Sequence, residues 1–148
     1  HVCLMKLSTY TIVANDFTHA GFASSELKKW ARRQNFDPNF IRRFAIACYE
    51  AEINTIIHSV GGEVILDIDE HHINLIFQDH GPGIKDIDLA MKEGWSSASE
   101  TAQAMGFGAG LGLPNIKKNV DTFKIESCCE GTRLTLGFNN PGVHHETQ

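Results

Sequence analysis

The stretch Glu50-Ala51-Glu52-Ile53-Asn54-Thr55-Ile56-Ile57-His58 carries a carboxylate, a carboxamide and an imidazole at intervals of four residues. On a helix that spacing sets Glu50, Asn54 and His58 along one face. Two glycine clusters follow, Asp79-His80-Gly81-Pro82-Gly83 and Gly106-Phe107-Gly108-Ala109-Gly110-Leu111-Gly112. A carboxylate closing a strand can accept from an amino group such as that of adenine. Guanine has a carbonyl there and would leave the acceptor unpaired. Glycines let backbone approach a ligand closely, and free N–H groups at a helix start favour phosphate. The second cluster lacks the Lys-Ser or Lys-Thr of a P-loop and the GxGxxG of the dinucleotide fingerprint. Each piece also has a plainer reading: a solvated helix face, a strand-ending turn, a flexible linker. Their order and spacing together suggest one pocket that holds a nucleotide.

Composition narrows the classes. The chain has 148 residues, 42% hydrophobic, with a formal net charge of -5. That suits one compact domain with a real core, read as residues 1–138 with a polar, structureless tail at 139–148. No basic run appears, which argues against nucleic acid as a partner. The pairs Arg32-Arg33 and Arg42-Arg43 read as solvated helix faces or, at most, a partner patch. No stretch approaches the ~20 apolar residues of a membrane span, and no signal peptide is visible. Cys3, Cys48, Cys128 and Cys129 form no CxxC and fit a reducing, cytoplasmic setting. Residues 1–4 read as a short lead ahead of a start at Met5.

Periodicity gives the elements. Thr9 to Ala14 reads as a strand. Ser24-Ser25 can cap a helix through a hydroxyl, and Leu27, Trp30 and Ala31 recur at helical spacing. Asn35 and Asp37-Pro38 end it, and Pro38 opens a longer helix with Phe40, Ile41, Phe44, Ala45, Cys48, Ala51 and Ile56 as its apolar stripe. Gly61-Gly62 stops that helix. Glu63–Asp69 and Ile73–Asp79 alternate and pair as a hairpin. Asp86–Glu93 is weakly helical, and Trp95–Ala109 reads as a mobile loop. Pro114 opens another helix, and Phe123–Cys129 with Thr132–Phe138 forms a second hairpin around Glu130-Gly131. The expected fold class is α/β: a two-layer α/β sandwich, a mixed sheet of about five strands with about three helices on one face.

These residues resemble those of the GHKL, or Bergerat-fold, ATPases. Glu50xxxAsn54 is similar to their N box, Asp79-x-Gly81-x-Gly83 to the first glycine box, and Gly108-x-Gly110-x-Gly112 to the second. Gly131-Thr132 resembles the late Gly-Thr beside the adenine-binding aspartate. Within that superfamily the chain is most similar to bacterial anti-sigma factor serine/threonine kinases and stress-signalling switch kinases. Sensor histidine kinases usually carry Lys three residues after the Asn, where this chain has Ile57. The segment between the glycine boxes is somewhat longer than in the switch kinases.

The resemblance implies ATP and Mg²⁺ as cofactors. It implies Asp79 on the adenine amino group with Thr132 assisting through water, and Asn54 as the Mg²⁺ ligand. It implies that Gly81 and Gly83 approach the ligand, and that backbone from Gly106 through Gly108, Ala109, Gly110, Leu111 and Gly112 to Leu113 wraps the phosphates. Ser96 or Ser97 would add a hydroxyl contact, and His58 stands as either a phosphate contact or a satisfied helix-end histidine. Glu50 would be the catalytic base toward a serine or threonine hydroxyl on a small STAS-domain partner of the anti-anti-sigma type. A sigma factor or a phosphatase is a further implied partner, and a homodimer an implied assembly. The alternative is a non-catalytic, ATP-dependent binding module that sequesters a regulatory partner; a detached sensor-kinase catalytic domain is disfavoured by Ile57. His71-His72 and His144-His145-Glu146 lack ligands at fixed spacing and do not read as metal sites. Cys128-Cys129 reads as strand packing, and Cys48 as an inert core thiol.

Overall fold

A computed structural model describes residues 5–58, 61–81, 87–92 and 112–142, the side chains of residues 5–7, 58 and 90 excepted. The elements run β1 (Met5–Ile12), α1 (Phe22–Arg33), α2 (Pro38–His58), β2 (Gly62–Ile68), β3 (His72–Asp79), α3 (Ile87–Ala90), α4 (Gly112–Lys118), β4 (Thr122–Cys128) and β5 (Gly131–Asn139). The strands form one five-stranded sheet in the order β1-β2-β3-β5-β4. All four pairings are antiparallel, so the sheet is not the mixed one expected. Alternation marks which face is buried but leaves strand direction open, and outside the two hairpins the chain makes two long connections, β1 to β2 through α1 and α2, and β3 to β4.

Alternation places Val64 and Leu66 of β2, Ile73, Leu75 and Phe77 of β3, and Leu134, Leu136 and Phe138 of β5 in the core. The register sets Val64 opposite Phe77, Leu66 opposite Leu75, Leu75 opposite Leu136 and Ile73 opposite Phe138. A slip of one residue would turn this apolar set to the other face, so the register is strongly specified. Phe40 and Phe44 of α2 close on Phe138 with ring centroids 5.6 and 5.4 Å away. Trp30 of α1 lies 5.9 Å from Phe44 and knits the two helices together. Arg43 fastens α2 to the turn after α4, donating to the Asn119 carbonyl at 3.2 Å and to Asp121 at 3.1 Å. It is therefore an ion-paired clamp rather than part of a solvated face.

Several boundaries differ from expectation. α2 begins at Pro38 as expected, and Asn35 leaves α1 at a left-handed φ of 59°, which Asn tolerates better than most residues. α1, however, starts at Phe22, and its N-cap Gly21 makes no side-chain cap. The cap comes from α2: buried Glu52 accepts from the backbone N–H of Gly21 at 3.0 Å, Ala23 at 3.4 Å and Ser24 at 2.8 Å. Ser24 turns its hydroxyl to the Gly21 carbonyl instead. α4 starts at Gly112, so Pro114 sits inside the first turn, where its missing N–H costs nothing. β5 runs through Asn139, and Asn140 bonds to the carbonyls of His71 and Asp69. The expected tail is thus tied to the β2–β3 hairpin at its start, and 143–148 lie outside the described residues. Among the described residues no helix is long and apolar enough to cross a membrane.

Glu52 is a buried charge whose oxygens are satisfied by N–H groups that have no other helical partner. Glu52→Ala should cost about 3 kcal/mol, since several buried donors lose their acceptor, and lower the thermal midpoint by roughly 10 °C. Thermal unfolding checks this, and an unchanged midpoint would show that α1 caps itself.

Candidate functional site

The end of β3 sets the first part of the site. Asp79 is half-buried, and its Oδ1 accepts from the backbone N–H of Gly81 at 3.1 Å and of Thr132 at 2.8 Å. One carboxylate oxygen is thereby fixed by two donors from separate elements. Oδ2 takes no hydrogen bond among the described residues, so one acceptor remains for an incoming donor. Thr132 meets Asp79 through its backbone, and its hydroxyl lies 2.8 Å from that of Ser127 across the β4–β5 hairpin. The contact is possible because of Gly131. A β-carbon there would collide with the Asp79 carbonyl oxygen, and the residue sits at φ 153°.

The second part lies along α2. Glu50 is half-buried, and burial pushes its carboxyl up from the ordinary glutamate range, while a hydrogen bond from Asn115 pulls the other way. Asn115 Nδ2 donates to Glu50 Oε2 at 3.3 Å. A β-carbon on Gly112 would stand 3.9 Å from Glu50 Oε1, with room to spare. The residue that closes the second glycine cluster and opens α4 therefore faces the carboxylate directly. Asn54, one turn further along, is half-buried and takes no side-chain hydrogen bond among the described residues. A neutral amide oxygen left in that state suits Mg²⁺, which takes few protein ligands beside phosphate oxygens and water.

The chain joins the two parts. α2 ends at His58, and Gly62, four residues on, pairs with Asp79 in the β2–β3 register. Glu50 and Asn54 thus stand on the helix whose last residue lies four positions before the strand residue paired with Asp79. Leu113 is buried in the core rather than presented to a ligand; its backbone is the part the expectation concerns. The side chain of His58 is outside what is described, as are Gly83, Ser96, Ser97, Gly106, Gly108, Ala109, Gly110 and Leu111.

Asn115 escaped the sequence reading. It stands beside Pro114 with no periodic signal, and only the packing of α4 on α2 reveals its partner 65 residues away. The hydroxyl pair Ser127–Thr132 was hidden in the same way, because it depends on hairpin register.

Two consequences can be measured. Gly131→Ala should destabilise the fold by about 3 kcal/mol through strain and the collision with Asp79; an unaltered denaturant midpoint would contradict that packing. Glu50 has a folded-state carboxyl pKa above its unfolded one, so the native state holds the proton more readily. Its unfavourable contribution is absent at low pH and grows as pH rises through the folded value. Glu50→Gln should therefore raise the thermal midpoint by a small amount at pH 7 and leave it nearly unchanged near pH 4. A loss of stability at pH 7 would show the charge to be a structural one.

Comparison with known proteins bears on the family of the chain. The family model for the histidine kinase-like ATPase domain matches residues 13–138. The serine/threonine-protein kinase RsbT of Bacillus subtilis (strain 168) is 34% identical over 76 residues, covering 51% of this chain and 51% of that protein. The chain thus spans about half the length of the curated relative it matches. With the model matching most of the sequence, and the Asp79 and Glu50 parts both inside the matched range, this chain belongs to the histidine kinase-like ATPase domain family.

Proposed function

We propose that this domain binds ATP and transfers its γ-phosphoryl group to a serine or threonine hydroxyl on a partner protein. The observation that carries the reading is the half-buried Glu50 carboxylate, steadied by Asn115 beside the residue that closes the second glycine cluster. A module that only grips nucleotide has no need of a proton acceptor there. The relative named a serine/threonine-protein kinase supports the same class.

In this reading Asp79 receives the adenine amino group on the oxygen left open by Gly81 and Thr132. Asn54 holds Mg²⁺, which when bound neutralises charge on the phosphates. Backbone from Gly106 to Leu113 covers the phosphates, with Gly83, Ser96 or Ser97, and His58 as further contacts. Glu50 takes the proton of the attacking hydroxyl as its oxygen bonds to the γ-phosphorus and ADP leaves. Phosphoryl transfer needs mainly alignment and charge neutralisation, so this short set suffices. Burial tunes Glu50 upward, toward the pH at which a base works best. The partner expected from the resemblance is a small STAS-domain protein in the cytoplasm, with a sigma factor or a phosphatase as a further regulatory partner.

Incubation with γ-labelled ATP and candidate STAS-domain proteins tests the assignment. Label on a serine or threonine supports it; a stable complex without label identifies a nucleotide-gated binding module, and free phosphate alone an ATPase. Glu50→Gln should keep ATP binding and lower transfer by ~10²–10⁴-fold, and Asp79→Asn should weaken ATP binding about tenfold or more. Transfer depends on ionised Glu50, so it should rise with pH through the mildly acidic range and then level off. Asn115→Ala removes the bond that opposes burial and should move that rise to higher pH. A profile that stays in place would remove Glu50 as the base.

A further inference from the structure

The hairpin turn between β4 and β5 carries two neighbouring thiols. Cys128 and Cys129 are both free and both exposed, in contrast to the one-in, one-out packing expected of a strand. Cys48 is fully buried, and burial pushes its thiol well up, which leaves it a poor nucleophile. Among the described residues the accessible thiols are therefore side by side in one turn. The turn is short: Cys128 pairs with Gly131, so Cys129 and Glu130 alone make the reversal. The Glu130 N–H points at Cys128 Sγ across 3.4 Å, the atom that would act as nucleophile.

The same turn is wedged against the Asp79 end of β3. A β-carbon built on Gly81 would lie 3.3 Å from the Glu130 carbonyl oxygen and 3.5 Å from that of Cys129. Gly131 packs on the Asp79 backbone, and Thr132 donates to Asp79 Oδ1 at 2.8 Å. Cys129, Glu130 and Gly131 thus leave no free space for a side chain between the turn and the segment that holds the Asp79 carboxylate. A change in the path of this turn is passed to Asp79 with no flexible side chain between them.

We propose that Cys128-Cys129 is a peroxide-sensitive dithiol whose closure to a disulfide between neighbours unseats Asp79 and weakens nucleotide binding. The inference rests on the reading of Asp79 as the adenine acceptor. Adjacent α-carbons stand about 3.8 Å apart across a trans peptide. Disulfides usually span roughly 4.4–6.8 Å, and departures from that range store strain. Closure therefore distorts the turn, and the strained bond is readily reduced again. In the first step one thiol loses its proton, its sulfur attacks a peroxide oxygen, the O–O bond breaks to give a sulfenic acid, and the leaving hydroxide takes up that proton as water. In the second the neighbouring sulfur attacks the sulfenic sulfur, the S–O bond breaks, and water leaves. Two thiols lose two electrons and two protons, and hydrogen peroxide is reduced to two waters.

Trypsin isolates the pair in one peptide, Ile125 to Arg133. After treatment of the full chain with hydrogen peroxide, that peptide should lose two hydrogens and resist alkylation. ATP affinity should fall about tenfold and return with dithiothreitol, and Cys129→Ser should keep its affinity through the same treatment. Hydrogen exchange at the Thr132 amide gives a readout without nucleotide: it should speed up in the oxidised protein and recover on reduction. Disulfides between chains, or higher oxides at either sulfur, would overturn the proposed closure. A closed peptide with unchanged Thr132 exchange would overturn the coupling to Asp79. Reduced protein that binds no ATP would defeat the adenine reading while leaving closure and amide exchange to be judged by themselves.

Discussion

One oxygen of Asp79 ties three segments together at one end of the sheet. It receives an N–H from the residue two places on and another from a strand that returns 53 residues later. Two backbone donors from separate elements converge on that oxygen and fix the orientation of the carboxyl group. The sheet end, the β4–β5 hairpin and the first glycine cluster therefore share a reference point. Gly131 exists at that point for want of space, since any side chain would strike the Asp79 backbone.

Helix α2 divides two carboxylates between two tasks. Glu50 and Glu52 are two residues apart, which turns their side chains about 200° from each other on a helix. Glu52 faces in, is buried, and spends both oxygens on the N-terminus of α1. Glu50 faces α4, retains partial exposure, and has one amide for company. The first is stabilised by every contact it makes. The second is held where burial disfavours its charge, with the hydrogen bond from Asn115 opposing that effect.

The parts of this fold that depend on local chemistry were legible in the chain. Pro38 marks a helix start because its ring fits there, and Val64, Leu66, Ile73, Leu75 and Phe77 recur at every second position, which sets them on one face. Glu50 and Asn54 were visible as a pair because helical spacing is itself short-range. What escaped depends on distant partners. The cap of α1 comes from a residue 28 or more positions away, and nothing around Ser24-Ser25 reports it. Asn115 gains meaning only from Glu50. The antiparallel course of the whole sheet depends on how two long connections return, through α1 and α2 before β2 and through the segment after β3, which alternation does not encode. Asn140 looked like tail because its bonds run to carbonyls of the β2–β3 turn, 69 residues or more upstream.

Strand order carries an implication for assembly. β5 is the last strand of the five to be synthesised, yet it lies inside the sheet, between β3 and β4. Until it emerges, β3 presents a bare row of N–H and C=O groups, and β4 has no neighbour to join. A ribosome-bound chain halted before residue 131 would hold at most a three-stranded β1-β2-β3 fragment, with the β3 margin open in addition to the β1 edge. Completion of the layer needs β5 between β3 and β4, so the tether between Thr132 and Asp79 depends on the last strand made.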